Sequence, residues 1–234
     1  MRELFIWFNR TKIPEGYPLK DDFILKDSFK KDKPKDIPTQ QWKLYNPFKM
    51  EFPPVDGYKF PSEMYMVITK ASYKTIFFDY YGYSNNVAFV SDKFQAFLQK
   101  NGLDDSYYEK AKLLIIDLGG NLLATVDYWA LRFGKFDDQL FDFHPETKKR
   151  VAGIKNYFLY PEMDAAKTTS SKNVYYLSEF CYNTSLVFNK DAKDEIIGNF
   201  YSPEIYKASD FPYVYNNQYK WDILAYDNEF LVKN

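Results

Sequence analysis

Apolar and polar residues alternate along short segments of residues 61–234, and this pattern predicts a body built mainly from β-strands. Residues 64–69 and 74–80 are rich in β-branched and aromatic side chains, and residues 70–73 form a predicted turn between them. Further strands are predicted at residues 86–90, 110–117, 122–133, 157–160, 173–180, 185–188, 204–208, 222–226 and 229–232. The pattern favours a mostly antiparallel sheet.

The spacing changes to that of a helix after residue 90. Ser91 is predicted to cap this helix, and Asn101 and Gly102 are predicted to end it. Its apolar side chains follow the i, i+3, i+4 spacing at Phe94, Phe97 and Leu98.

A second short helix is predicted after residue 189. Asn189 supplies its cap and Gly198 its end, and its apolar positions are Ala192, Ile196 and Ile197. Residues 87–100 and 186–199 therefore share one order of strand, capping residue and short helix. This order indicates either two copies of one unit in two lobes or a common motif that occurs twice.

Glycines separate two of the predicted strands, which is typical of a hairpin. Gly119 and Gly120 lie between residues 110–117 and 122–133. The second arm is long for a strand, and we expect a bend near Asp127.

Residues 1–60 are the least regular part of the chain. Prolines at their density exclude long helices and central strands, and they stand at Pro14, Pro18, Pro34, Pro38, Pro47, Pro53 and Pro54. Short strands are predicted within this segment at residues 4–8, 23–25 and 41–45, the last two at a sheet edge. Residues 30–36 are predicted as an exposed loop. We expect a single domain over residues 1–234, with residues 1–60 wrapped over an α+β body formed by residues 61–234.

The composition is that of a globular protein. Of 234 residues, 46% are apolar and 27% are charged. The net charge of −1 lacks the basic excess that nucleic-acid binding needs. No apolar run approaches the roughly 18 residues of a membrane helix, and the N-terminus does not resemble a signal peptide. Since a single cysteine cannot form an internal disulfide, we expect a cytoplasmic protein.

The residues that carry most enzyme chemistry are nearly absent. The chain has one histidine, His144, and one cysteine, Cys181, among 22 Phe, 22 Tyr and 4 Trp. It has no closely spaced His/Cys ligands for zinc and no nucleophile or phosphate-binding motif. We expect His144 on the surface and Cys181 as a small buried apolar residue. The sequence therefore predicts a protein that is not an enzyme, holds no cofactor or metal, and acts by binding.

Two other functions stay open. Aromatic side chains stack on sugars and peptides, so a carbohydrate- or peptide-binding module would use the aromatic tail, although the same side chains also fill a core. These residues are Tyr213, Tyr215, Tyr219, Trp221 and Tyr226. An enzyme that uses carboxylates alone would need two acids roughly 5–9.5 Å apart in a cleft, and the sequence marks no such pair.

One stretch carries a family resemblance. Residues 128–143, YWALRFGKFDDQLFDF, place an aromatic strand before a Lys-Phe-Asp-Asp turn and a second aromatic segment. Together with residues 90–94 and the helix after them, this stretch resembles the immunity protein 43 family of bacterial polymorphic-toxin systems. Residues 186–199 are similar to the related immunity protein 11 group. The likeness extends over residues 64–210 and implies a cytoplasmic α+β protein, encoded beside a cognate toxin, that binds and blocks this toxin without catalysis.

Within this resemblance, the turn after the aromatic strand holds the candidate contact residues. Arg132 is expected to be buried, with a carboxylate of the turn as its partner. Two roles of the turn stay open. In the first, the acids of the turn face outward toward a basic toxin cleft, with aromatic side chains as anchors of the interface. In the second, the acids are solvated and the aromatic side chains pack the turn against the core. The candidate partner-binding residues are Phe136, Asp137, Asp138, Phe141 and Asp142.

Overall fold

A computed structural model describes residues 3–9, 13–37, 40–84, 86–150, 158–159, 162–165, 171–180 and 184–219. The strands are β1 Phe5–Trp7, β2 Phe23–Lys26, β3 Glu63–Ile68, β4 Tyr80–Ser84, β5 Val87–Ser91, β6 Tyr108–Asp117, β7 Tyr128–Phe133, β8 Phe141–His144, β9 Lys149–Arg150, β10 Phe158–Leu159, β11 Glu162–Ala165, β12 Val174–Leu177, β13 Ser185–Phe188 and β14 Ile205–Lys207. The α-helices are α1 Asp92–Lys100, α2 Lys190–Asn199 and α3 Phe211–Tyr219. Short 3-10 helices occur at Lys20–Asp22, Gln41–Leu44, Asp138–Leu140 and Pro145–Thr147. The predicted α+β class is confirmed.

The chain divides into two compact units. The six-stranded unit comprises Pro14–Gln99 and Asp104–Lys135, and the four-stranded unit comprises Met1–Ile13, Lys100–Leu103 and Phe136–Asn234. Each takes its name from its largest sheet, and each has its own cluster of buried apolar side chains.

The six-stranded unit contains a mixed sheet in the order β2-β3-β6-β7-β5-β4. β3 and β6 run parallel, and the other neighbouring strands are antiparallel. Side chains two residues apart face the same side of a strand, so Met64 and Met66 of β3 are buried together with Leu113 and Ile115 of β6. The strand predicted at residues 64–69 is confirmed, and β2 forms a sheet edge as expected.

The first predicted helix is confirmed as α1. The Oγ atom of Ser91 accepts a hydrogen bond from the backbone N–H of Phe94 at 3.2 Å and donates one to Asp79 at 2.6 Å. Phe94 and Leu98 are fully buried. Gly102 follows the helix with a φ of +105°, the left-handed conformation in which glycine often ends a helix.

The four-stranded unit contains an antiparallel sheet in the order β12-β13-β1-β14. β13 occupies the residues predicted for it and leads directly into α2. Asn189 caps this helix, since its Oδ1 accepts a hydrogen bond from the backbone N–H of Ala192 at 3.0 Å. The order of strand, cap and helix that the sequence repeats is therefore present in both segments.

β8 and β11 form a separate two-stranded antiparallel ribbon in the four-stranded unit. Asp142 lies opposite Asp164, and His144 lies opposite Glu162. The alternate residues of the ribbon belong to the hydrophobic core of this unit, and they are Phe141, Phe143 and Met163. One face of the ribbon is therefore apolar, and the other carries the polar side chains.

Residues 41–45 differ from the predicted edge strand, because Gln41–Leu44 forms a 3-10 helix. The side chains of Trp42 and Tyr45 are both buried, and the backbone N–H of Tyr45 donates to the carbonyl of Trp42 at 3.3 Å. A 3-10 helix has three residues per turn, so residues three apart face the same way. This spacing explains why both aromatic side chains point inward.

The long arm predicted at residues 122–133 is a strand only over its second half. The hairpin turn itself is confirmed: Oδ1 of Asp117 accepts a hydrogen bond from the backbone N–H of Asn121 at 2.8 Å. Ile116 and Leu122 then form an isolated bridge, and regular pairing with β6 resumes only at the start of β7. The irregular segment between them lies where the bend was expected.

Two other outcomes differ from the sequence pattern. Residues 74–80 hold an isolated bridge at Ile76, and the strand begins only at Tyr80. α3 was not predicted, although its buried side chains follow helical spacing at Phe211, Val214 and Tyr215. The predicted strands at residues 222–226 and 229–232, and Cys181, lie outside the described residues.

Candidate interaction surface

Arg132 is the buried cation of the strand that precedes the acidic turn. Its side chain is 2% exposed, and Nε donates a hydrogen bond to Glu109 at 2.9 Å. The guanidinium also donates to the backbone carbonyls of Trp42 and Tyr58, each at 2.6 Å. The expectation that an acid of the following turn pairs with Arg132 is therefore wrong. Its partner, Glu109, lies directly opposite on the neighbouring strand β6. The β6–β7 register sets this pairing, and sequence spacing does not predict it because the hairpin between the strands is irregular.

Asp137, the first acid of the turn, is 1% exposed. Its two carboxylate oxygens accept hydrogen bonds from Nζ of Lys172 at 2.6 and 2.7 Å. Oδ2 also accepts from the backbone N–H of Tyr176 at 3.1 Å, and the N–H of Asp137 donates to the Tyr176 carbonyl at 2.8 Å. Asp137 therefore fastens the turn to β12.

Phe136 and Asp138 are half-buried and contact the same segment. The ring of Phe136 stacks on that of Tyr176, with centroids 5.6 Å apart. The carboxylate of Asp138 accepts hydrogen bonds from the backbone N–H groups of Ser178 and Glu179, at 2.9 and 2.8 Å, and from the Ser178 hydroxyl at 2.8 Å. Both side chains are thus held in place and remain partly accessible.

Phe141 and Asp142 lie on opposite faces of the ribbon. Phe141 is buried and packs edge-on against Tyr175, with ring centroids 5.1 Å apart. Asp142 is exposed. Of the five candidate residues, Asp142 is the one on an exposed polar face.

This polar face of the ribbon, together with Glu146 of the 3-10 helix that follows β8, forms what we call the acidic face. It consists of Asp142, His144, Glu146, Glu162 and Asp164. Nε2 of His144 lies 3.2 Å from Asp164, and Nδ1 lies 3.5 Å from Glu146. Glu146 and Asp164 are the acids of this face that form ion pairs with His144. Within the described part of the chain, no Lys or Arg nitrogen pairs with their carboxylates.

The acidic face raises the pKa of His144 above its ordinary value of 6.5. The hydrogen bond to Asp164 contributes most, and the charges of Glu146 and Glu162 add to it, whereas desolvation acts in the opposite direction. Protonation of His144 offsets part of the negative charge of this face.

The aromatic tail does not form a stacking platform in its described part. Tyr215 is buried and Tyr213 is exposed, while the side chain of Tyr219 lies outside the described residues, as do Trp221 and Tyr226.

Among the residues described, no group of three or more His, Cys, Asp or Glu is arranged to hold a metal ion. The described helices include none with the length and apolar character of a membrane span.

The sequence matches the family model of immunity protein 43 over residues 9–223, which is most of the chain. The chain belongs to the immunity protein 43 family. The resemblance seen in residues 64–210 is therefore confirmed, and the immunity protein 43 match extends further, into the Pro-rich N-terminal segment. No curated protein sequence matches the chain.

Membership in the immunity protein 43 family supports a toxin-neutralising role, with a toxin protein as the partner. Immunity protein families are generally non-catalytic. A protein with this role binds its partner through a complementary surface, so the exposed charged and apolar side chains of each unit are the candidates for that contact.

Proposed function

We propose that this protein binds one cognate bacterial toxin domain in the cytoplasm and blocks its action without catalysing a reaction. The observation that carries this proposal is the match to the immunity protein 43 family over residues 9–223. The near absence of histidine and cysteine from the sequence supports it, because most recognisable catalytic and zinc sites need these residues.

The acidic face is the proposed contact surface of the four-stranded unit. Within the described residues, Glu146 and Asp164 pair with His144, and no Lys or Arg pairs with the four carboxylates, so most of their negative charge is available to an incoming protein. A basic cleft on the toxin would complement this charge. A toxin that acts on a negatively charged substrate has such a cleft, and a protein seated there would exclude the substrate.

The other candidate residues act mainly by positioning this surface. Asp137 and Phe141 are buried and fix the turn and the ribbon to the core. Phe136 and Asp138 are partly accessible next to the ribbon in the chain, and we assign them to the edge of the contact. Asp142 makes the direct contact.

Exposed charge acts chiefly on the rate of encounter. Opposite potentials on two proteins raise the association rate, and this increase falls as ionic strength rises. We therefore expect the acidic face to govern association and its salt dependence, and to have little influence on how long the complex lasts.

The test uses the toxin domain encoded by the neighbouring gene, purified with its catalytic residue substituted. Binding is followed by surface plasmon resonance for the wild type and for the double variant D142K/E162K. The matched control is D32K/D36K, which makes the same charge change in the exposed loop of the six-stranded unit. We expect wild-type binding, association slowed about tenfold or more in D142K/E162K at low salt, and control rates close to wild type. Absence of wild-type binding would overturn the proposed function, and equal rates for the two double variants would remove the acidic face from it.

A further inference from the structure

His144 lies between two carboxylates of the acidic face, with one at each ring nitrogen. Its Nε2 is 3.2 Å from the carboxylate of Asp164, and its Nδ1 is 3.5 Å from that of Glu146. An ionised carboxylate only accepts hydrogen bonds, whereas a neutral imidazole has one N–H group and one acceptor nitrogen. Because only the protonated ring can donate to both neighbours, the geometry favours the charged form of His144.

Two further acids face the same imidazole. Asp142 lies two residues before His144 on the same side of β8, and Glu162 lies directly opposite His144 on β11. The hydrogen bond to Asp164 and the charges of Glu146 and Glu162 raise the pKa of His144. Within the described residues, no Lys or Arg forms an ion pair with these acids, so His144 supplies the compensating positive charge.

The pairing of His144 with its acids is accessible from outside the molecule. The side chains of His144 and Asp164 are 39% and 45% exposed, and that of Glu146 is 72% exposed. The carboxylates that hold the imidazolium are therefore the ones that a basic side chain of the toxin would meet. Two cations beside the same carboxylates repel each other, so the arrival of the second favours loss of the proton from the imidazolium.

We propose that His144 is a titratable counter-ion of the acidic face, and that a Lys or Arg side chain of the toxin replaces its positive charge when the complex forms. The proton leaves the imidazolium for the solvent buffer, and the neutral ring keeps one N–H group. This inference rests on the proposed function and assigns a regulation by pH to the same surface.

The replacement makes toxin binding depend on pH in one direction. A pKa of His144 that is lower in the complex than in the free protein releases protons on binding at pH values between the two. By linkage, the affinity rises with pH through this interval and levels off above the pKa of the free protein. Acidification therefore weakens the complex, although it does not destabilise the fold through His144, since folding favours the protonated imidazole.

Other roles of His144 predict different proton counts. An imidazolium that only ties β8 to β11 keeps its carboxylates in the complex, so its pKa stays unchanged and no proton is exchanged. A toxin that brings an acidic side chain to this face raises the pKa of His144, and binding then takes up protons. The number and sign of the protons exchanged on binding distinguish these cases.

The test measures this number with the inactivated toxin domain. Isothermal titration calorimetry at pH 6.5, in two buffers of different ionisation enthalpy, gives the protons released by the wild type and by H144Q. At pH 6.5 a raised pKa leaves more than half of the imidazole protonated in the free protein. We expect the wild type to release roughly half a proton or more per complex in excess of H144Q, and we expect this excess to vanish at about pH 8.5.

NMR measures the same effect without a variant. The protein has one histidine, so isotope-labelled wild type bound to unlabelled toxin gives the imidazole signals of His144 alone. Its pKa should be lower in the complex than in the free protein. Binding with an unchanged or higher pKa of His144, or with equal proton release by wild type and H144Q, would overturn this inference and leave the proposed function standing. Absence of binding by calorimetry would overturn the proposed function and the inference with it.

Discussion

Glu109 and Arg132 face each other across the antiparallel strands β6 and β7, and Nε of the arginine donates to the glutamate carboxylate at 2.9 Å. The remaining guanidinium nitrogens reach two carbonyls of the segment of residues 40–61, those of Trp42 and Tyr58. One cross-strand pair therefore joins the central sheet of the six-stranded unit to its N-terminal segment. This arrangement explains how a segment rich in proline and poor in regular hydrogen bonds holds a defined position.

Substitution of Glu109 by glutamine tests this pair. The guanidinium of Arg132 would stay buried without its counter-charge, and removal of one partner of a buried ion pair typically costs about 3–5 kcal/mol. We expect E109Q to lower the free energy of unfolding by roughly this amount in urea denaturation. The control E51Q makes the same change at an exposed position of residues 40–61 and should stay within about 0.5 kcal/mol of wild type. Equal stability of the two variants would contradict this account.

Asp137 and Asp142 should respond differently to the same substitution. In D137N, the half-buried ammonium of Lys172 loses its buried, charged partner, so we expect a loss of about 3 kcal/mol in the free energy of unfolding. D142N changes an exposed carboxylate and should leave stability within about 0.5 kcal/mol of wild type. Chemical denaturation of both variants in parallel measures the difference, and a stable D137N would show that the turn does not depend on this pair.

The two helix caps offer a comparison between the units. S91A and N189A each remove a side-chain acceptor from the first turn of a helix, which typically costs about 1 kcal/mol. S91A should be the more destabilising, because Ser91 also donates a hydrogen bond to Asp79. Urea denaturation against the exposed control S28A measures these losses. A smaller loss for S91A than for N189A would contradict the role assigned to the Asp79 contact.

His144 should titrate above its ordinary pKa of 6.5. Because the pKa is raised in the folded state, the protonated form is stabilised by folding. This stabilisation is fully present below pH 6.5 and is lost as pH rises through the folded-state pKa. As the chain has one histidine, its imidazole resonances can be followed by NMR without assignment. D164N should bring the pKa closer to 6.5, and a wild-type value at or below 6.5 would contradict the geometry.

The same titration should affect toxin binding. Protonated His144 reduces the negative charge of the acidic face, so association with a basic partner should be slower at pH values below its pKa. Association rates measured across this range, with H144Q as the variant that cannot titrate, test the effect. A pH dependence that persists unchanged in H144Q would assign it to other groups.

The local parts of the structure were accessible from the sequence, since they depend on residues near each other in the chain. Ser91 and Asn189 mark their helices because a capping side chain acts within one turn. The strand predicted at residues 41–45 is wrong because aromatic residues such as Trp42 and Tyr45 favour strands in general. Their spacing of three suits a 3-10 turn, and contact of Tyr45 with Arg132 stabilises this turn. Phe211, Val214 and Tyr215 have helical spacing, so α3 also has a local signal, although it lies in a segment whose composition is that of a polar, aromatic tail.

The candidate surface could be predicted from the sequence only in part, for a different reason. The sequence does not distinguish a buried acid of the turn from an exposed one. In the structure, Asp137 is buried and pairs with Lys172, whereas Asp142 is exposed on the ribbon. Of the acids that accompany Asp142 on the acidic face, Glu146 follows β8 closely in the chain, whereas Glu162 and Asp164 come from β11, at the far end of an intervening segment. Their proximity follows from strand register, which no local pattern specifies.

Titration of the active toxin domain with this protein tests the central claim most directly. We expect toxin activity to fall in proportion to the protein added and to vanish near one equivalent, with a one-to-one complex recovered by size-exclusion chromatography. Full toxin activity at a large excess of the correctly folded protein would contradict the account.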